Sequence, residues 1–156
     1  MDRVKNVQDI SARTLLVVED HLATRTMLVD WLGAAFPNYR CLEASSGEEA
    51  MELMRTHRPR LVVMDFALPG LNGIEVTRRI KQISPRVSVI MVSMYEADVY
   101  QAEAAAAGAS AYLFKRTMYT NLIPTVQGLL TLSEDVPGQS RAGIGAGGTW
   151  EERGKP

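Results

Sequence analysis

The chain has 156 residues, 46% of them hydrophobic and 22% charged, which is the balance of a folded globular domain rather than of a disordered chain. One domain of this length buries roughly two-thirds of its unfolded surface, enough for a full core. Lys and Arg total 17 against 18 Asp and Glu, a formal net charge of −1. The basic excess on which non-specific nucleic-acid binding leans is therefore missing, and no DNA binding is expected of this chain alone. Cys41 is the single cysteine, which excludes an intrachain disulfide, and its neighbours Tyr39, Leu42 and Ala44 make it read as a small buried apolar residue. With His21 and His57 the only histidines, a Cys/His zinc site is excluded too. The opening MDRVKNVQDISAR has no apolar segment of the kind a secretory leader carries, and no stretch approaches about 18 consecutive apolar residues. A soluble, cytoplasmic protein with no membrane partner is the expectation.

In chain order, short β-branched runs alternate with longer helical patterns. The predicted strands are Leu15–Val18, Tyr39–Glu43, Leu61–Met64, Val87–Val92 and Ala111–Phe114. Three of them (LLVV, LVVM and VSVIMV) are almost wholly apolar, the mark of strands buried on both faces of a parallel sheet. Leu28, Trp31, Leu32 and Ala35 form a helical stripe before Pro37. Ser46 with Glu49 is a capping box whose helix should stop before Pro59. Asn72 with Glu75 opens a third helix, with Val76, Ile80 and Ile83 on one face before Pro85. The alanine-rich run from Asp98 to Ala107 ends at Gly108, a C-terminal capping glycine. A fifth helix carries Leu122, Val126, Leu129 and Leu130, and Pro124 is expected in its first turn. Five βα units with right-handed crossovers make a doubly wound open sheet. The domain is expected over residues 13–132, after an N-terminal extension at 1–12. Residues 133–156 hold six of the 12 glycines and are expected to form a flexible Gly-rich tail in which Trp150 most simply has no role.

In such sheets, ligands collect beyond the carboxyl ends of the strands. The first strand ends in Glu19 and Asp20, the third in Asp65, the fourth in Ser93 and the fifth in Lys115. Three carboxylates brought together must either raise a pKa or bind a cation. Oxygen donors without His or Cys favour Mg2+, with Mn2+ able to substitute, over zinc. A divalent cation, an ammonium and a hydroxyl together suit a phosphoryl group. Each residue also has a plainer reading on its own. Asp20 or Ser93 could be a helix N-cap, Asp65 a turn-former, and Lys115 a solvated charge. Their joint placement at four strand ends favours the site.

The segments LLVVEDHLATR, LVVMDFALPGLNG, VIMVSM and GASAYLFK resemble the receiver domain of two-component response regulators, in order and spacing, from about Arg13 to Leu132. The resemblance implies a flavodoxin-like, five-stranded parallel sheet of order 2-1-3-4-5 with five helices. It makes Asp65 the phosphoacceptor and assigns Mg2+ to Glu19, Asp20, Asp65 and the backbone carbonyl of Ala67. Ser93 and Lys115 would contact the phosphoryl oxygens, and Tyr112 would be the aromatic switch residue. The phosphoryl group would come from a sensor histidine kinase or a phosphotransfer protein. The output would be a population shift on the face of helix four, strand five and helix five, read by a downstream protein target. A homodimer through helices four and five is compatible with this, with no residue that demands it.

Several positions depart from the family's commonest pattern. Met94 follows Ser93 where a small residue is usual and is expected to crowd the phosphoryl pocket. Arg116 follows Lys115 where proline is frequent, which leaves the Lys115–Arg116 peptide geometry open, since a cis bond away from proline costs about 2.5–4 kcal/mol. Ala67 offers no side chain to orient a water, and Tyr95 could shield the phosphorus. Together, Ala67, Met94 and Tyr95 would tune dephosphorylation toward a long-lived phosphoryl state. His21 is read as packing or facing solvent, and Arg78, Arg79, Lys81 and Arg86 as a solvated basic face.

A single-domain response regulator is the leading expectation: not an enzyme that turns over a small substrate, but a protein that catalyses its own phosphoryl transfer and slow autodephosphorylation. The alternative is the receiver portion of a DNA-binding transcription factor lacking its effector. The 24 residues after position 132 look too few and too unpatterned for a helix-turn-helix domain. A Mg2+-dependent phosphatase with an aspartyl nucleophile is disfavoured, because the general acid such enzymes need two residues on is Ala67 here. A pseudo-receiver that takes no phosphate is disfavoured because every required group is present.

Overall fold

The computed structural model describes residues 13–135. In chain order the elements are β1 (Thr14–Val18), α1 (Leu22–Ala35), β2 (Arg40–Ala44), α2 (Gly47–His57), β3 (Leu61–Asp65), α3 (Gly73–Ile83), β4 (Ser88–Ser93), α4 (Asp98–Ala107), β5 (Ala111–Phe114) and α5 (Met118–Asp135). All strand pairs are parallel, and the order across the sheet is β2-β1-β3-β4-β5. Alternate residues of one apolar strand feed two separate cores. Leu16 and Val18 of β1 enter the layer under α2, α3 and α4 with Met54, Ile80 and Ala104. Leu15 and Val17 enter the layer under α1 and α5 with Leu32, Leu122 and Val126. Burial on both faces therefore explains why these strands show no polar alternation.

The local signals hold with small shifts. β2 and β4 each begin and end one residue later than predicted, and β3 runs through Asp65. Pairing of Asp65 with Val92 and of Ser93 with Phe114 makes both chemical residues the last rungs of the sheet rather than loop residues. Ser46 Oγ accepts from the Glu49 N–H at 3.2 Å, while the Glu49 carboxylate turns back to Ser45 N and Oγ, each at 2.9 Å. Asn72 Oδ1 accepts from the Glu75 N–H at 2.9 Å. Gly108 closes α4 at φ +102°, and a Cβ there would also collide with the Lys81 stem at 2.9 Å.

Pro124 departs from expectation. α5 begins six residues before it, so the proline sits inside the helix, not in the first turn. Buried Met118 and Leu122 extend the apolar face N-terminally, and Pro124 itself is exposed, so the carbonyl that loses its partner can turn to water. α5 also continues to Asp135, three residues past the expected domain edge at 132. The expected extension at 1–12 and the tail from 136 onward, Trp150 included, lie outside the described residues. Cys41 is half-buried, and burial pushes its thiol up to about 11. No helix among the described residues is long and apolar enough to cross a membrane.

Candidate functional site

Every strand but the edge strand β2 delivers a chemical group to the carboxyl edge of the sheet. Glu19 follows β1 and is 3% exposed, and Asp65 ends β3 at 5%. Asp20 is exposed at the rim. One carboxylate oxygen from each of the three lies within 4.8 Å of the others. Lys115, just past β5, places Nζ 3.3 Å from Asp65 Oδ1 and 3.5 Å from Glu19 Oε2. Its side chain is 25% exposed, so it is held between acids rather than solvated. Burial, then the hydrogen bond and charge of Asp65, push the Glu19 carboxyl up to about 7, with Lys115 pulling the other way. One ammonium does not neutralise the cluster. The donor set of hard oxygens, buried and mutually repelling, fits a divalent cation of the Mg2+ type.

The backbone around these groups is fixed. The Glu19 N–H donates to the Ala44 carbonyl (3.0 Å), Phe66 N–H to Val92 (2.9 Å) and Lys115 N–H to Ser93 (2.8 Å). The Ala67 N–H reaches Asp65 Oδ1 at 3.3 Å, which sets the exposed Ala67 backbone beside the carboxylate. Gly73 opens α3 against the same strand end, where a Cβ would lie 2.2 Å from the Asp65 carbonyl oxygen. Asp20 is not used as a cap, because the N-cap position of α1 falls on His21 and no side chain fills it. His21 is exposed, with Nδ1 3.2 Å from Thr24 Oγ1.

Ser93 is fully buried, and its Oγ accepts from the Tyr95 N–H at 2.9 Å. Tyr112 is also fully buried, and its hydroxyl donates to the Tyr95 carbonyl at 2.5 Å. Burial raises the Tyr112 phenol above its usual range while a hydrogen bond with Ser93 works against it. Ser93, Tyr95 and Tyr112 are thus one connected set. Met94 is 78% exposed at the rim. The Tyr95 ring packs on Phe66 (centroids 5.2 Å apart) and Tyr100 (5.3 Å), which themselves stand 5.1 Å apart. Sequence reasoning missed this aromatic trio, because Phe66, Tyr95 and Tyr100 show no shared period and meet only through the sheet.

No peptide bond among the described residues is cis, so Lys115–Arg116 is trans. Arg116 pairs with Glu96 and lies over the Phe114 ring at 5.2 Å. The basic face expected on α3 is only partly solvated. Arg78 and Arg79 both pair with Glu75, and Lys81 Nζ donates to the Pro85 and Val87 carbonyls at 2.7 and 2.8 Å.

A doubly wound parallel sheet with acids after β1 and β3, a hydroxyl at β4 and a lysine after β5 defines a receiver-type signalling domain. The family model for the response regulator receiver domain matches residues 15–127, and the chain belongs to that family. Among curated relatives it is 35% identical over 116 residues to the transcriptional activator protein ExaE of Pseudomonas putida, a match covering 74% of this chain and 54% of that protein. It is 31% identical over 117 residues to the response regulator GacA of Pseudomonas aeruginosa, covering 72% and 53%. The chain thus spans about half the length of the curated relatives it matches. Among solved structures, a LuxR-family two-component response regulator from an Aurantimonas species superimposes with TM-score 0.72 at 30% identity, over 77% of this chain and 86% of that one. The sheet order and five helices expected from sequence are those of this fold.

Proposed function

We propose that this chain is a phosphoacceptor response regulator that takes a phosphoryl group from a phosphohistidine of a sensor kinase or phosphotransfer protein onto Asp65. One observation carries the reading: Lys115 Nζ sits between Asp65 (3.3 Å) and Glu19 (3.5 Å) while the carboxylates of Glu19, Asp20 and Asp65 crowd within 4.8 Å. A structural ion pair needs one carboxylate, not three. Glu19, Asp20, Asp65 and the Ala67 carbonyl would hold Mg2+, which supplies positive charge where phosphoryl oxygens gather. An Asp65 oxygen attacks phosphorus in line, so that an O–P bond forms as the P–N bond to the donor imidazole breaks. Lys115 offsets the charge on the transferring group and gives Asp65 its orientation. The new phosphoryl oxygens compete for the Ser93 hydroxyl, which redraws its contacts with Tyr95 and Tyr112 and shifts the α4–β5–α5 face toward a protein target. The ring of Tyr112 is already buried, so this shift selects among packings of a ring held inside.

The chain thereby acts on itself once per phosphoryl group and is not a turnover enzyme. Ala67 brings no side chain to orient a water, and Tyr95 packs edge-to-face against the residue after Asp65, which favours an acyl phosphate lasting minutes or longer. The test is intact mass after incubation with acetyl phosphate and Mg2+. The native chain is expected to gain about 80 Da, one phosphoryl unit, and Asp65→Asn none. No gain by the native chain overturns the reading. Loss of the added mass within seconds, without any phosphatase, overturns the long lifetime.

A second reading places the chain as the receiver portion of a DNA-binding regulator, supported by ExaE, a transcriptional activator of which this chain spans 54%. An intact gene product extending into a helix-turn-helix segment would establish it.

A further inference from the structure

Arg25 takes no part in the phosphoryl chemistry, yet its side chain is only 13% exposed. It is the fourth residue of α1, and its backbone N–H closes the first helical turn on the His21 carbonyl (2.9 Å). From there the guanidinium reaches two elements at once. Nη1 donates to the Glu19 carbonyl at 2.9 Å, and Nε donates to Glu43 Oε1 of β2 at 3.2 Å. The Glu19 carbonyl belongs to the peptide joining the two acids that follow β1. On its other side, the Glu19 N–H is held by the Ala44 carbonyl at 3.0 Å. The peptide planes on both sides of the Glu19 Cα are therefore held, the one before it by Ala44 and the one joining it to Asp20 by Arg25, and with them the directions in which the carboxylates leave the backbone.

Resting on the assignment of a divalent cation to the acidic cluster, we infer that Arg25 is a positioning residue for that cation, acting through the Glu19 carbonyl, with Glu43 as the counter-charge. A fixed fork of N–H donors can hold a carbonyl and a carboxylate together, whereas a lysine ammonium is a single point on a flexible stem. The arrangement would otherwise be counterproductive, since a guanidinium on the Glu19 backbone carbonyl repels a cation entering the acidic cluster. Glu43 offsets that charge and leaves the geometry.

The two roles open to Arg25 give opposite signs. If it matters only as a charge, removing it tightens cation binding. If it positions the acids, removing it weakens binding, by roughly 10-fold or more as for other groups that orient metal ligands. The experiment is titration with Mn2+ alone, read by the electron paramagnetic resonance of free Mn2+, on the whole chain and on Arg25→Met and Arg25→Lys. Melting of each without metal accompanies it. Weaker Mn2+ binding in Arg25→Met is expected, with a smaller loss in Arg25→Lys, which keeps the charge but not the fork. Binding by Arg25→Met that is tighter than or equal to native overturns the inference. Should Arg25→Met fail to fold, Arg25→Lys decides: native-like affinity overturns the inference, and a several-fold loss with unchanged melting supports it. A native chain that binds no Mn2+ removes the metal reading itself, a failure distinguishable from that of Arg25 alone.

Discussion

The two ends of the sheet carry opposite charges in opposite ways. At the carboxyl end, Glu19 and Asp65 are 3% and 5% exposed and flank Lys115, with an Asp20 oxygen within 4.8 Å of theirs. At the amino end, Arg40 opens β2, and Arg13 and Arg86 lie just before β1 and β4; all three are exposed, as is Arg58 after α2, while Arg60 before β3 is half-buried. Arginines in water repel weakly, because solvent and salt screen them. Buried carboxylates repel strongly, and the fold tolerates them because Lys115 lies between Glu19 and Asp65 and the Glu19 carboxyl is pushed up to about 7. The number of like charges does not distinguish a working site from a solvated edge, whereas their burial does.

This contrast is exposed to measurement, starting with the largest effect. Gly73→Ala drives a Cβ to 2.2 Å from the Asp65 carbonyl oxygen, a backbone atom that cannot yield. Urea unfolding should show a loss of about 3 kcal/mol or more, and a native-like midpoint would mean the acidic end is less rigid than its backbone hydrogen bonds imply. The next effect follows pH. Glu19 titrates near 4.5 when unfolded and near 7 when folded. Within that window the folded chain holds a proton that the unfolded chain has released. Without divalent cations, stability should therefore fall as pH rises from 4.5 to 7 and level off at higher pH, by up to about 3 kcal/mol. Saturating Mg2+ should flatten the slope, because the cation takes the proton's place. A slope of the other sign would show Glu19 stabilised as an anion. At the amino end, Arg58 follows α2 with φ +46°, a left-handed conformation that glycine adopts freely. Arg58→Gly should stabilise the chain by about 1 kcal/mol in thermal melts. Smallest of all, Arg40→Gln and Arg86→Gln should each change stability by less than about 0.5 kcal/mol. A larger gain in either would mean the arginine edge carries strain after all.

The elements and their order were legible because the strands are short apolar runs set between capped helices. Ser46, Asn72 and Gly108 each mark a boundary by local hydrogen bonding or backbone conformation, which sequence shows directly. Pro124 misled for the same reason. Its local rule was outweighed by Met118 and Leu122, whose burial is a tertiary fact. The acids, Ser93 and Lys115 were readable from their places at strand ends. Arg25 was not, because its partners are a backbone carbonyl and a residue 18 positions away. Lys81 was read as solvated for a similar reason, since carbonyl acceptors leave no mark in a sequence.

Two contacts join the segment after β4 to β5 and to the turn at its carboxyl end: the Tyr112 hydroxyl on the Tyr95 carbonyl, and Arg116 on Glu96. They grip adjacent residues, one from inside the protein and one from its surface. A segment fastened at two neighbouring points resists rotation as well as translation, which couples Tyr95 and Glu96 to β5. Under the proposed phosphoryl switch, a tug on Ser93 would reach the outer surface as a rigid displacement instead of being absorbed as slack.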